Sequence, residues 1–435
     1  MADKTISKMR IREMLGFYEN ELVQNILFFW DEKCIDRVNG GFFNCFDNRG
    51  DHLVSRDKYT WSQGRFVWLF AKLSTMEGGT FTKAQRAEFL ANAKQGAAFL
   101  RKHCLLSPGD WRCAFLMDET GRHKTVEGWG NRLDLSLSAD GFVVTGLARY
   151  AQTAHDEESY RFAKALYLSV KDRYDRNDYL NLPYPLNPKY RAHGKPMGLT
   201  HTAQSIYDAA LLFEPDWAET VAKAHLRSFT EHILEHFVDD DYTLREIVAK
   251  DGTRLPSVLG RHMNPGHTIE GMWFMMDSMD TNGEATWLQP IAGITKKALE
   301  NGWDDEFGGL LHFCGINGGA PEGDTYPDAD EPMMKQLLSG WGDKLWWIHS
   351  EALYTTMRLY QRTGDAVFWE WYEKLFDYTL GTFPNPDREV REWIQIRKRD
   401  GSPQDKVVAL PVKDPYHIMR NFILMVELLS AMLRA

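Results

Sequence analysis

The sequence predicts an all-α fold, an (α/α)6 barrel of about twelve helices with short β-hairpins between helix pairs. Three observations carry that expectation. Helical periodicity, with apolar residues returning every three to four positions, dominates the chain. The helical segments fall into about six pairs at even spacing, with no Pro/Ser-rich linker and no low-complexity tract between them. Polar and aromatic residues that stand out from the pattern gather at the start of every second helix. If alternate helices form an inner ring, those starts converge on one mouth, whereas a solenoid would spread them along a groove. Residues 1–435 are therefore expected to form a single domain.

In chain order, a first helix is expected over 9–31. Asp36-Arg37-Val38-Asn39 then leads into a strand-like piece, Gly40-Gly41-Phe42-Phe43-Asn44, whose glycines suit a tight turn. The second helix, 58–76, carries Lys58, Trp61, Gln63 and Arg65, and 82–103 is its partner. The fourth, 138–154, opens with Ser138, Ala139 and Asp140, and 158–175 follows. The sixth, 197–213, contains His201 and Gln204 and pairs with 215–237. The eighth, 265–280, has Asn264 as N-cap, Pro265 at its first position, His267 in its first turn and Glu270 three residues on. It pairs with 284–300. The segment 303–343 breaks the rhythm; it is rich in Gly, Asp and Pro, and reads as a lid or binding loop or as a tolerated surface insertion. It begins with an echo of the first turn, Asp304-Asp305-Glu306-Phe307 before Gly308-Gly309-Leu310-Leu311-His312. The tenth helix, 344–362, carries Lys344, Trp346, Trp347, His349 and Glu351, and pairs with 365–381. Residues 392–403 read as a hairpin turning at Asp400-Gly401. The last helix, 415–433, repeats the motif of the eighth, with Asp414, Pro415, Tyr416, His417 and Arg420.

Composition narrows the function. A net charge of -10 invites neither nucleic acid nor an anionic membrane. No apolar run looks long enough to span a bilayer, and Met1-Ala2-Asp3-Lys4 shows no apolar signal core. Five cysteines without a CxxC pair argue against a disulfide framework and fit a reducing cytoplasm. With 15 Trp and 17 Tyr there are aromatic rings enough for sugar platforms as well as core, so the expected partner is a small sugar. A homodimer is compatible with all of this.

The residues themselves leave alternatives open. Two imidazoles at two helix starts suit proton transfer, and the positive helix N-terminus favours their neutral form. His267 with Glu270 pairs a base with an orienting carboxylate, or supplies half a metal site. Arg65, Lys344 and Arg420 nearby disfavour a bound cation and suit an oxyanion, so no metal is expected. Arg65 serves equally as an interior ion-pair partner of Asp140 or Glu270. His349 and Glu351, two apart, cannot both face one way, and Glu351 is the one expected to face the cavity. Trp68 belongs to the core. Neither Gly pair sits in a Rossmann or P-loop context, so no nucleotide cofactor is indicated.

Taken together, the motifs resemble the N-acylglucosamine 2-epimerase family along nearly the whole chain. The matching pieces are Gly40-Gly41-Phe42-Phe43, Trp61-Ser62-Gln63-Gly64-Arg65, Ser138-Ala139-Asp140-Gly141-Phe142, Asn264 to Glu270, Lys344-Leu345-Trp346-Trp347 with Glu351-Ala352-Leu353, Arg391-Glu392-Trp393, and His417 with Arg420. The resemblance implies an (α/α)6 barrel and epimerisation or isomerisation of free sugars at C2. It implies catalytic roles for His267 and His417, with Arg65, Glu270, Glu351 and Arg420 in the site. Trp61, Asp140, His201 and Trp347 complete the expected substrate-binding set. His201 departs from the pattern: Asn is typical there of the N-acetylglucosamine enzymes, and His of mannose-isomerase and cellobiose-epimerase relatives. Trp61-x-Gln63-x-Arg65 points toward the acylhexosamine and mannose-isomerase side. The substrate pair is thus N-acylglucosamine/N-acylmannosamine or glucose/mannose, reached through an enediolate. The alternatives are an aldose–ketose isomerase acting on mannose or a related hexose, a glycoside hydrolase with two carboxylates, and a non-catalytic helical interaction protein.

Overall fold

The structure, a computed structural model, describes residues 6–434; Met1 to Lys4, where no signal core was read, lie outside them. Six helices form an inner ring: Thr60–Leu73, Leu137–Ala154, Gly194–Phe213, Pro265–Asn282, Trp346–Thr363 and Tyr416–Arg434. Each packs on the next, and the last closes on the first. Against them lie the outer helices Lys83–His103, Glu157–Asp175, Lys223–His236, Leu288–Gly302 and Ala366–Thr382, with Lys8–Glu21 covering the last inner helix. The expected (α/α)6 barrel is what the chain forms. The inner helices are buried on nearly every side because they face both the ring interior and the outer layer; the outer ones bury a single stripe.

The boundaries differ where the backbone changes its turn. Leu22–Leu27 takes wider π-type turns before Phe28–Lys33, and Ala218–Ala222 does so before Lys223–His236. Helices Thr60–Leu73 and Trp346–Thr363 start two residues later than expected, because Lys58–Tyr59 and Lys344–Leu345 pair as strands. Lys344–Leu345 pairs with Ile396–Arg397, next to the expected turn, where the Gly401 N–H donates to Lys398 O at 2.9 Å. The pieces 40–44 and 308–312 are not strands. Each makes one isolated bridge, Ile35 to Phe42 and Trp303 to Leu310, around Gly pairs at positive φ.

The two turns are one device used twice. Lys58 Nζ donates to Asp36 Oδ2 at 2.7 Å and to Gly40 O at 2.6 Å. Lys344 Nζ donates to Asp304 Oδ2 at 3.0 Å and to Gly309 O at 3.3 Å. Both lysines are fully buried. Each fastens the turn onto the entry to an inner helix, so the internal echo in the sequence encodes helix placement. Close approach fixes the ring as well: a Cβ on Gly64 would stand 2.2 Å from Phe142 O, so Thr60–Leu73 and Leu137–Ala154 touch backbone to backbone.

Segment 303–343 is more ordered than a featureless loop. It contains Cys314–Gly315, paired with His262–Met263, and the helix Pro332–Ser339. Met334 and Leu337 bury against Tyr190, Ile247 and Val258. All five cysteines are buried free thiols. Contrary to expectation, Tyr416–Arg434 is long and apolar enough to cross a membrane by length and composition, but most of it is buried inside the ring.

Candidate active site

Backbone N–H groups at a helix start lack intrahelical partners, and the sequence supplies side chains for them. Asn264 Oδ1 accepts from the His267 N–H at 3.1 Å, with Pro265 in the first turn. Asp414 Oδ1 accepts from the Tyr416 N–H at 2.9 Å, and Asp414 Oδ2 pairs with Arg65. The repeated cap therefore also tethers Arg65, whose guanidinium carbon lies 4.1 Å from the Phe142 ring centroid and 4.9 Å from that of Trp61.

His267 and His417 open on one cavity of about 220 Å³ at the inner-helix starts. Trp347 stands beside both, its ring 5.5 Å from each imidazole. His417 Nδ1 lies 2.7 Å from Glu351 Oε1. A carboxylate accepts only, so Nδ1 carries the hydrogen and Nε2 keeps its lone pair. Burial, helped by Arg65 and Arg420 and opposed by Glu270, pushes His417 down to about 3, so it is neutral at neutral pH. His267 Nδ1 lies 3.0 Å from Glu246 Oε1. Burial works against its charge, but the Coulombic pull and hydrogen bond of Glu246, with Glu270 adding, raise His267 above the ordinary imidazole value. The helix end was expected to push both imidazoles toward the neutral form; at His267 the direction is reversed, because a carboxylate outweighs the helix end. Burial likewise opposes ionisation of Glu246, and His267 and His193 overcome it, holding that carboxyl well below the usual range.

Most of the expected residues meet here. Arg65, Trp61, His201 and Glu270 line the cavity, as do Trp347 and Arg420. Their partners differ from those expected. Glu270 accepts from Arg420 Nη2 at 2.5 Å and lies 3.5 Å from His417 Nδ1, so it serves His417 rather than His267. Glu351 sits behind His417, bound also by Arg420 and by the Trp273 indole N–H at 2.8 Å. It holds the His417 imidazole from behind and, contrary to expectation, is not among the residues that line the cavity. Glu270, Glu351 and His417 could present ligand atoms to an ion, but Arg420 already bridges the two carboxylates. His201 Nε2 is 3.2 Å from the Tyr416 hydroxyl, and its ring stacks 4.5 Å from Phe274. Burial, then Arg420, Arg65 and His417, hold His201 neutral.

Two expectations are corrected. Asp140 does not reach the cavity; it is buried against Arg173 at 2.6 Å, a partner on the next outer helix. Lys344 is consumed by its turn, as above. His349 points away from the cavity, accepting from the Leu310 N–H at 2.9 Å. Gln63 ties both Phe42 backbone groups at 2.8 Å and is structural. Trp68 is buried core, as expected.

Sequence reasoning missed Glu246 and Lys195. Glu246 precedes the strand Ile247–Ala249, and its C=O accepts from the His193 N–H at 2.8 Å. The available signal was slight: the acid follows Arg245 at the edge of the apolar piece Ile247-Val248-Ala249. Lys195 is the second residue of Gly194–Phe213, two residues before the helix was expected to begin.

A family model described as N-acylglucosamine 2-epimerase (GlcNAc 2-epimerase) matches residues 41–421. The N-acylglucosamine 2-epimerase of Mus musculus is 30% identical over 438 residues, covering 97% of this chain and 94% of that protein. A cellobiose 2-epimerase of Ruminococcus albus is 22% identical, covering 93% of this chain and 96% of that protein. The solved cellobiose 2-epimerase from Bacillus thermoamylovorans B4167 superposes with a TM-score of 0.75 at 18% identity, over 96% of this chain and 99% of that one.

Proposed function

This chain belongs to the N-acylglucosamine 2-epimerase family, and from that premise and the site geometry we propose that it interconverts an aldose and its C2 epimer by proton transfer at C2. A sugar 2-epimerase or isomerase type of activity follows from the family; the choice of epimerisation is our reading. The observation that carries it is a pair of histidines on one cavity whose surroundings push their protonation in opposite directions.

The chemistry follows from what each atom can do. Opening of the hemiacetal exposes the C1 carbonyl, which acidifies the C2 hydrogen. Neutral His417, its Nδ1–H held by Glu351, offers Nε2 as general base. The enediolate that forms needs positive charge at its oxygens. Arg420 is occupied by two carboxylates, whereas Arg65 has one, Asp414. Arg65 is therefore the oxyanion stabiliser. Protonated His267, held by Glu246, delivers a proton to the opposite face of C2. In the reverse direction the two imidazoles exchange roles, so the pair works with one proton shared between them.

For the substrate, similarity to N-acylglucosamine 2-epimerases supports an N-acyl hexosamine. His201, held neutral and able to donate or accept at a hydroxyl, supports an unsubstituted glucose or mannose. That second observation also supports the aldose–ketose isomerase reading, in which one base returns the proton to C1. Incubation with N-acetylmannosamine, mannose, glucose and cellobiose in D2O, followed by NMR, tests the proposal. Deuterium at C2 of both epimers is expected. A ketose as sole product would move the chain to the isomerase reading, and absence of C2 exchange from every sugar would contradict both.

A further inference from the structure

Lys195 is the cation in the cavity wall that the mechanism leaves unused. It lies at the second position of the inner helix Gly194–Phe213 and lines the cavity with Ser138 and Asn181. Its ammonium donates to Ser138 Oγ at 2.9 Å, and Ser138 Oγ donates to Asn181 Oδ1 at 2.8 Å. The other cavity cations are paired: Arg65 with Asp414, Arg420 with Glu270 and Glu351, His267 with Glu246. Lys195 forms no ion pair with any described residue. Burial pushes it down to about 7, opposed by Glu246, which is already bound to His267.

The charges around the cavity are also lopsided. On the His417 side, two carboxylates share the single guanidinium of Arg420. On the Lys195 side, Glu246 is held by His267, and the lysine borders a second cavity of about 300 Å³ whose wall adds Lys171, Arg176, Arg191 and Lys250 against the single acid Asp175. A ligand with an acidic end would be drawn to the Lys195 side and repelled from Glu270 and Glu351. A neutral hydroxyl would leave the half-buried ammonium without a counter-charge.

We propose that Lys195 selects aldoses carrying an acidic group (carboxylate, phosphate ester or sulfonate) on the carbon chain beyond C2, and thereby sets which end of the sugar faces His417. The proposal rests on the epimerase reading for its substrate class. The anion sits on the Lys195–Ser138–Asn181 line while C1 and C2 lie toward Arg65 and the two histidines.

The experiment compares mannose, mannuronate and mannose 6-phosphate by C2 exchange in D2O with wild type, Lys195→Met and Lys195→Arg. In parallel, calorimetry measures binding of unreactive mannitol and mannitol 6-phosphate. We expect wild type to favour at least one acidic sugar over mannose in kcat/KM. In Lys195→Met that acidic-to-neutral ratio falls at least tenfold, while Lys195→Arg retains it. Binding of mannitol 6-phosphate relative to mannitol weakens in the same order, which separates charge recognition from misfolding. Mannuronate and mannose 6-phosphate distinguish carboxylate from phosphate. A ratio unchanged in Lys195→Met, or a wild type that turns over both acidic sugars less well than mannose, overturns the proposal while leaving epimerisation standing. If neither these sugars nor N-acetylmannosamine exchanges at C2 yet mannitol 6-phosphate binding depends on Lys195, the epimerase reading fails and the anion site stands.

Discussion

Glu246 Oε1 lies 3.0 Å from Nδ1 of His267 although 21 residues separate the two in the chain. The pair reverses the effect of the helix start on His267. A first-turn imidazole alone would shed its proton readily; against a buried carboxylate it keeps it.

The first prediction follows from the sign of that effect. Catalysis in either direction needs one proton on the His267–His417 pair. His417, pushed down to about 3, does not hold it at neutral pH, so it resides on His267. Activity is then present below the raised His267 value and lost as pH rises through it. Glu246→Gln removes the charge that raises it, so the alkaline limb of the kcat/KM profile moves to lower pH. A limb unchanged in Glu246→Gln would show that another group sets it.

Arg65→Lys is expected to be nearly as damaging as Arg65→Ala, each costing about 10²–10³-fold in kcat. The planar fork holds Asp414 with one nitrogen and keeps others for the substrate, while an ammonium is a point charge that Asp414 captures. Recovery of most activity by Lys would reduce Arg65 to a source of general positive potential.

Arg420 is fully buried between Glu270 and Glu351. Arg420→Met leaves two buried carboxylates facing each other without a cation, and should lower unfolding stability by about 3–5 kcal/mol in a urea titration. Wild-type stability in this variant would mean that the carboxylates are solvated or protonated at little cost.

His201→Asn should shift the ratio of kcat/KM values for mannose and N-acetylmannosamine toward the acetylated sugar. The shorter, flat amide leaves more room beside Phe274, and a hydroxyl that loses its partner costs roughly 1–3 kcal/mol, a change of at least several-fold. An unchanged ratio would make His201 part of the wall with Tyr416 and Phe274.

The ring was legible because each helix writes its own periodicity and caps; Asn264 and Asp414 act within three residues of themselves, so local sequence carried both histidine-bearing helix starts. What was illegible depends on pairings between elements. Asp140 sits at the start of an inner helix like the cavity-lining residues, but Arg173 on the following helix holds its carboxylate away from the cavity. Glu246 carries no motif, and only the pairing of Ile247–Ala249 with Tyr190–Ala192 brings it behind His267. Glu270 and Glu351 were correctly placed near the histidines, yet which carboxylate serves which imidazole is decided by Arg420, whose reach the chain order does not reveal.

The central claim is that two histidines serve opposite faces of C2, and exchange without inversion tests it most directly. His267→Ala and His417→Ala are each incubated with both epimers of the substrate in D2O, and C2 deuterium and epimer conversion are read separately by NMR. Each variant should lose epimer conversion by on the order of 10²–10⁴-fold. His267→Ala should still exchange the C2 proton of the one epimer that His417 deprotonates, and His417→Ala that of the other epimer alone. If either variant interconverts the epimers at the wild-type rate, or if both exchange the same epimer, the two-histidine account is wrong.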